Sequence, residues 1–314
     1  MYFPLLRGKQ YELIALREFA EAHPENQYLF PIIEPVRALQ DALVRAASVL
    51  SKGHIPYSII LNPERGDYAV PSTRFEIEVF LEKFDGLENK PIPAFYADGK
   101  CDNVLHNIED YELQDVIVVF EESFDIERAE DLCNHPSVKY IVCSGADSRS
   151  NSRYLMRTGK KIVRLDDRFV VRKPNTAYRG IDEDAYSEEF YYYKSDHFYG
   201  FADYCVLPKE YIEGGTTPTA IAIHMTYRKR NDALWVRHFV SDESFDNQNI
   251  RAKFGSAMSH MREFYSITQP TDAAQWLIER SDSYPGLGVL KKVTILNHIQ
   301  LVTSILPTLD NDEI

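Results

Sequence analysis

The stretch Val116-Ile117-Val118-Val119-Phe120, followed at once by Glu121-Glu122, decides the fold. Its apolar residues run continuously instead of alternating with polar ones, which suits a parallel strand covered on both faces. Parallel neighbours need a crossover, usually a helix. Working outward, runs of the same kind recur at Tyr2–Leu6, Tyr28–Ile33, Tyr57–Leu61 and Ile92–Ala97 on one side, and at Lys139–Cys143, Lys161–Leu165 and Tyr199–Leu207 on the other. That makes eight, with run ends about 22–42 residues apart.

The segments between them carry helical periodicity. Leu13, Leu16 and Ala20 form one stripe, and Leu39, Leu43, Ala46 and Leu50 fall at i, i+4, i+7 and i+11 of another. In the third segment Phe75, Ile77 and Val79 alternate like a strand, but the capping box Thr73-x-x-Glu76 predicts a helix starting there. Eight strand–helix units mean a (β/α)8 barrel or a doubly wound sheet. No G-x-G-x-x-G follows the first run to mark a dinucleotide crevice, so the pattern predicts an α/β, TIM-barrel-like (β/α)8 fold.

After the eighth run the pattern changes. Thr219–Tyr227 and Leu234–Val240 read as a hairpin with the basic turn Arg228-Lys229-Arg230. A helix beginning near Asn249 buries Phe254, Ala257, Met258, Met261 and Phe264, and further helix over Asp272–Leu306 is broken at Pro285-Gly286. The expected organisation is a barrel core over 1–210 with a hairpin and helical extension, 211–314, packed on it. The tail Asp310–Glu313 reads as solvated.

The chain has 314 residues, 44% hydrophobic, with 48 acidic and 35 basic side chains and a formal charge of −13. This composition excludes a disordered or collagenous chain, and the charge argues against nucleic acid held by simple phosphate neutralisation. No run reaches the length of a membrane span, and the N-terminus lacks the build of a signal peptide, so a cytoplasmic location is expected. Cys101, Cys133, Cys143 and Cys205 have no metal-ligand spacing and read as free thiols. Walker, H-E-x-x-H, G-x-S-x-G and kinase signatures are absent.

Barrel chemistry sits at the carboxyl ends of the strands. The residues there are Arg7 and Lys9, Glu34, Asn62 and Glu64, Asp98, Glu121 and Glu122, Ser144, and Asp166 and Asp167, with Asp203 inside the eighth run. Converging carboxylates can serve as general acid and base or gather Mg²⁺. They can equally be helix caps, although Glu34, held between Ile33 and Pro35, has no helix turn to cap. Arg164 near the end of the seventh run and Arg168, Arg172, Lys173 and Arg179 after it lie where this fold often cradles phosphate; a rim ion-pair network of Arg164 and Arg168 with Asp166 and Asp167 is the other reading. The cluster Phe190-Tyr191-Tyr192-Tyr193 could stack a base or sugar, cover the barrel mouth or pack on the hairpin. His224 and His238, nearly opposite on the hairpin, are structural or share a metal or a proton.

Taken together, Pro4-Leu5-Leu6-Arg7-Gly8-Lys9-Gln10-Tyr11-Glu12, Pro31-Ile32-Ile33-Glu34-Pro35, Leu61-Asn62-Pro63 with Gly66-Asp67, and Gly200-Phe201-Ala202-Asp203-Tyr204 resemble the phage and bacterial Beta protein family. The likeness extends through His238-Phe239-Val240-Ser241-Asp242, with Ala202 departing from a more usual Gly. It implies a setting in phage genomes or bacterial defence-like neighbourhoods. Arg7, Lys9, Glu12, Glu34, Asn62, Asp67 and Asp203 match the recurrent polar positions of that family. It transfers no catalytic role.

Two functions follow as expectations. One is hydrolytic or lyase chemistry on a phosphorylated or nucleotide-like small molecule. In it Arg7, Lys9, Asn62, Arg164 and Arg168 hold the anion, Glu34, Asp203, Asp98, Glu121 and Asp166 do acid–base work, and Mg²⁺ is a possible cofactor. The other is a non-catalytic component that binds a protein partner through the hairpin, with Trp235, and the C-terminal helices.

Overall fold

A computed structural model describes residues 1–122, 125–144, 149–214, 218–229 and 233–312. Arg230 of the basic turn and Glu313 of the acidic tail lie outside these residues. The chain divides into two compact units, one of Met1–Asp166 with Glu189–Asp203, the other of Asp167–Glu188 with Tyr204–Ile314.

The first unit is a (β/α)8 barrel. Its parallel strands are β1 (Leu5–Leu6), β2 (Ile32–Ile33), β3 (Ser58–Ile60), β4 (Ile92–Tyr96), β5 (Val116–Phe120), β6 (Val138–Cys143), β7 (Lys161–Leu165) and β9 (Gly200–Ala202), paired in that order. Each predicted run contains one of them, except that β6 begins one residue before its run, at Val138. The seam between β9 and β1 is drawn together by Phe3 N–H donating to the Phe201 carbonyl and Leu5 N–H to the Asp203 carbonyl, both at 2.8 Å. Every residue of β5 is buried, as its unbroken apolar run requires.

Among the described residues one α-helix crosses between each pair of successive strands from β1 to β7: α1 (Gln10–Ala22), α2 (Asp41–Lys52), α3 (Ile77–Glu82), α4 (Cys101–Asp110), α5 (Ile126–Asn134) and α6 (Arg149–Arg157). Leu43, Ala46 and Leu50 are buried as predicted, but Leu39 precedes α2 and is 78% exposed. The capping box at Thr73 does not form: α3 starts at Ile77 with Glu76 as its N-cap and no side-chain cap bond, and Val79 faces outward. A rim of aromatic rings, with Phe3 stacked on Phe30 at 4.8 Å, Phe30 against Tyr140 at 5.6 Å and Tyr140 against Tyr199 at 5.7 Å, fills the barrel end away from Arg7.

The second unit is built on a three-stranded antiparallel sheet in the order β10 (Ala222–Arg228), β11 (Leu234–Val240), β8 (Glu183–Ser187). The first two are the predicted hairpin, in a register that sets His224 opposite His238. The third strand was not predicted. Helices α8 (Ile250–Tyr265), starting where expected and capped by Asn249, α9 (Asp272–Glu279) and α10 (Leu287–Asp312) complete the unit, with the break near Pro285-Gly286 where predicted. Phe254, Ala257, Met258 and Met261 are buried; Phe264 is only half-buried.

Candidate functional site

At the carboxyl ends of the barrel strands four charges form a closed ring. Arg7, one residue beyond β1, donates from Nη1 to Glu34 Oε2 at 3.4 Å and from Nη2 to Glu121 Oε1 at 3.0 Å. Arg65, in the loop after β3, donates from Nη1 to the same Glu34 oxygen at 2.9 Å and from Nη2 to Glu121 Oε2. Tyr96, the last residue of β4, sits among them: its hydroxyl accepts from Arg7 Nη1 at 2.8 Å and donates to Glu34 Oε2 at 3.0 Å, while the Arg65 guanidinium lies 4.9 Å over its ring. Glu34 Oε1 accepts from the Glu64 N–H at 3.1 Å.

The chain reaches this arrangement by local devices. Gly8 turns the strand end into α1 at φ +58°, and a Cβ there would lie 2.7 Å from the Glu34 carbonyl oxygen. Buried Glu12, in the first turn of α1, accepts from the Arg7 N–H at 2.7 Å and so pins the backbone that carries Arg7. The Arg65 loop is held at Gly66, whose φ is +65° and whose Cβ would come within 2.1 Å of the Val36 carbonyl oxygen. Asp67 then takes the Ala38 N–H at 2.8 Å, which with Arg37 holds its carboxyl below the ordinary value. Gly66→Ala combines a left-handed backbone with a backbone clash, so it should lower stability by about 2–4 kcal/mol. Gly86→Ala, with open space at its Cβ, is the control. A comparison of their thermal melts that finds no difference would refute the anchoring role.

Electrostatics distinguish the members. Glu34 is fully buried, and that burial raises its carboxyl above the ordinary value although Arg65 and Arg7 pull it down. Burial likewise pushes the Tyr96 phenol well up, so it stays protonated as a donor. For Arg65, burial acts to lower its pKa but is outweighed by Tyr96, Glu34 and Glu121, so the guanidinium keeps its charge. Its side chain is 22% exposed, against 6% for Arg7, and is the ring's contact with solvent. Lys100, paired with Glu64, is pushed down by burial, partly opposed by the charge of Glu34.

Of the predicted site residues, Arg7, Glu34 and Glu121 meet in the ring. Asn62 is committed to the barrel wall, its amide donating to the Tyr96 carbonyl at 2.8 Å and accepting from the Tyr96 N–H at 2.9 Å. Asp98 accepts from the Glu121 and Glu122 N–H groups, while burial raises its carboxyl. These two are splints between strand ends. Buried Asp203 accepts from the Tyr2 hydroxyl at 2.7 Å. Lys9 is the N-cap residue of α1 and partly exposed, and Asp166 is half-buried with its N–H on the Ala202 carbonyl.

Arg164, inside β7, pairs with Glu189 at 3.4 Å. Arg168 is exposed and belongs to the second unit, where Arg172 and Arg179 are tied to Asp184 and Asp246. The tyrosine cluster forms α7 (Glu189–Tyr192) and the residue after it. The Tyr193 hydroxyl accepts from the Met1 amine at 3.1 Å, which places it at the amino end of the strands, as befits a segment leading into β9. On the hairpin, Lys229 lies 3.5 Å over the Trp235 ring and pairs with Glu183.

Sequence reading overlooked Arg65 and Tyr96. Arg65 had a signal, since it follows Glu64 in the loop after the third run, whereas Tyr96 is indistinguishable from an ordinary strand aromatic. Among the described residues no group of three or more His, Cys, Asp or Glu stands where it could hold a metal ion. The Glu34 and Glu121 oxygens face guanidinium groups, so they do not fit the expected Mg²⁺. Burial pushes the Cys133 thiol up to about 12 and that of Cys101 above its usual value, so neither is a thiolate near neutrality. No described helix is long and apolar enough to cross a membrane.

No protein-family model matches the chain, and no curated protein matches it.

Proposed function

We propose that the barrel mouth binds a small phosphorylated or nucleotide-like anion at Arg65 and Arg7, and that Glu34 supplies a proton in hydrolytic or lyase chemistry on it. The observation that carries this reading is the ring itself, in which one buried carboxyl of raised pKa shares two guanidinium groups with a second. A ring of four charges, three of them buried, is a poor source of stability, because desolvation consumes most of the Coulomb gain. Perturbed ionisation at strand carboxyl ends is instead a mark of function in this fold.

Whenever Glu34 is protonated, two cations face one carboxylate and the ring carries a surplus positive charge. An incoming phosphate competes for Arg65, the member nearest solvent. As Arg65 turns to the anion, Glu34 loses an opposing charge and holds its proton more firmly. The proton then lies beside the bound group, available to a leaving oxygen.

This coupling is measurable with sulfate, a phosphate-shaped probe that does not titrate near neutrality. Calorimetric titrations in buffers of different ionisation enthalpy should show proton uptake on binding. Glu34→Gln should abolish the uptake, and Arg65→Met should weaken binding by about tenfold or more, as expected for a lost charge-assisted contact. Sulfate binding without proton uptake, or equally tight in Arg65→Met, would dismiss the proposal.

A further inference from the structure

Within the second unit Asp184, His238 and His224 form a hydrogen-bonded file. Asp184 Oδ2 is 2.8 Å from His238 Nε2, and His238 Nδ1 is 2.8 Å from His224 Nδ1. Arg172 clamps Asp184 through both guanidinium nitrogens, and the Tyr178 ring packs against both imidazoles at 4.6 and 4.8 Å. The protons along the file are dictated by chemistry. A carboxylate only accepts, so His238 carries its proton on Nε2; with neutral rings its Nδ1 must accept; therefore His224 donates from Nδ1. That leaves a lone pair on His224 Nε2, for which no hydrogen-bond partner exists among the described residues.

His224 lines a cavity of about 270 Å³ whose other walls are mostly apolar, among them Phe169, Val206, Leu207 and Leu290. Arg172, Lys173 and Lys291 also line it, and none of its lining residues is acidic. In a chain of formal charge −13 that is a cationic lining, with Arg172 already answered by Asp184. It holds roughly ten non-hydrogen atoms at a water-like ~30 Å³ each.

We infer that this cavity is a ligand site for a small hydroxy-carboxylate with an apolar body, its carboxylate facing the lysines and its hydroxyl donating to His224 Nε2. Asp184 and His238 are positioning residues, which set the His224 tautomer that makes Nε2 an acceptor. Like the buried aspartate of a hydrolase triad, Asp184 also stabilises the charge that builds along the file when the hydroxyl proton moves towards His224. The inference is independent of the barrel mouth.

The test uses the full chain labelled with ¹⁵N-histidine, with 4-hydroxybenzoate and 4-methylbenzoate as probes. Before any probe is added, the His224 spectrum near neutral pH should show a proton on Nδ1 and none on Nε2. Both probes should shift lining resonances, and only 4-hydroxybenzoate should shift His224 Nε2. Lys173→Met should weaken both probes severalfold. His224→Gln should remove an advantage of about tenfold for the hydroxyl-bearing probe, the worth of one hydrogen bond. The inference is overturned by a His224 proton on Nε2, by equal shifts of Nε2 with the two probes, or by no response of His224 to 4-hydroxybenzoate at millimolar concentration. The wild-type spectra do not depend on a variant folding.

Discussion

Glu121→Leu should destabilise the barrel by about 3–5 kcal/mol, the usual loss when one partner is removed from a buried ion-pair network. Each Glu121 oxygen serves a different arginine, Oε1 for Arg7 and Oε2 for Arg65, so the substitution leaves both guanidinium groups short of an acceptor. Adding Arg65→Met should recover part of the loss, because it removes the surplus cation; a coupling of about 1–3 kcal/mol is expected for residues in one network. Urea unfolding followed by circular dichroism measures the totals, and hydrogen exchange at the β1 to β5 amides assigns them to the barrel. A loss below about 1 kcal/mol would mean the ring is not held as tightly as its geometry implies.

The second large effect is on acid stability, and it concerns the sheet unit. Burial, reinforced by the neighbouring His238, lowers the His224 pKa from 6.5 to about 3. Burial also lowers His238, although Asp184 opposes it, and Arg172 and Arg237 contribute repulsion. A base whose pKa is depressed on folding binds fewer protons folded than unfolded. Its contribution to stability is therefore complete above the unfolded value and is lost as pH falls through 6.5 towards 3. At about 1.36 kcal/mol per pH unit, His224 should cost the unit about 2–3 kcal/mol between pH 7 and pH 4.5. Denaturant titrations of wild type and His224→Gln at both pH values isolate this share, since glutamine does not titrate. If the two proteins lost stability in parallel on acidification, the buried neutral pair would be disproved.

The two effects arise from elements that differ in how visible they were beforehand. The barrel strands were legible because each is a run of apolar residues flanked by polar turns, and burial on both faces leaves no other way to write it. The hairpin was legible for a related reason, and its register put His224 opposite His238. Leu39 misled because its spacing continued the stripe of α2, although it lies before the first turn and has nothing to pack on. Thr73 and Glu76 misled because a capping box needs a helix to begin at once, and here the chain stays irregular until Ile77.

β8 shows what local pattern conceals. Glu183-Asp184-Ala185-Tyr186-Ser187 reads as a polar loop, yet it is a strand whose charges are answered across the sheet. Glu183 meets Lys229 and Arg237, and Asp184 meets Arg172 and His238. Those partners make its polarity compatible with a sheet, and the ones on the hairpin are more than 40 residues away in the chain.

The same contrast runs through the barrel mouth. Residue order alone established eight strands, the turn after each, and hence the short set of positions at their carboxyl ends, because apolar periodicity is a local property of the chain. It could not say that Glu34 and Glu121 share two arginines while Asn62 and Asp98 splice strand ends. That division rests on contacts between residues 23 to 114 apart, which exist only once the barrel has brought its strand ends together. Charges act over a few ångströms of space, not along the sequence, so folding determined which of the acids became a site.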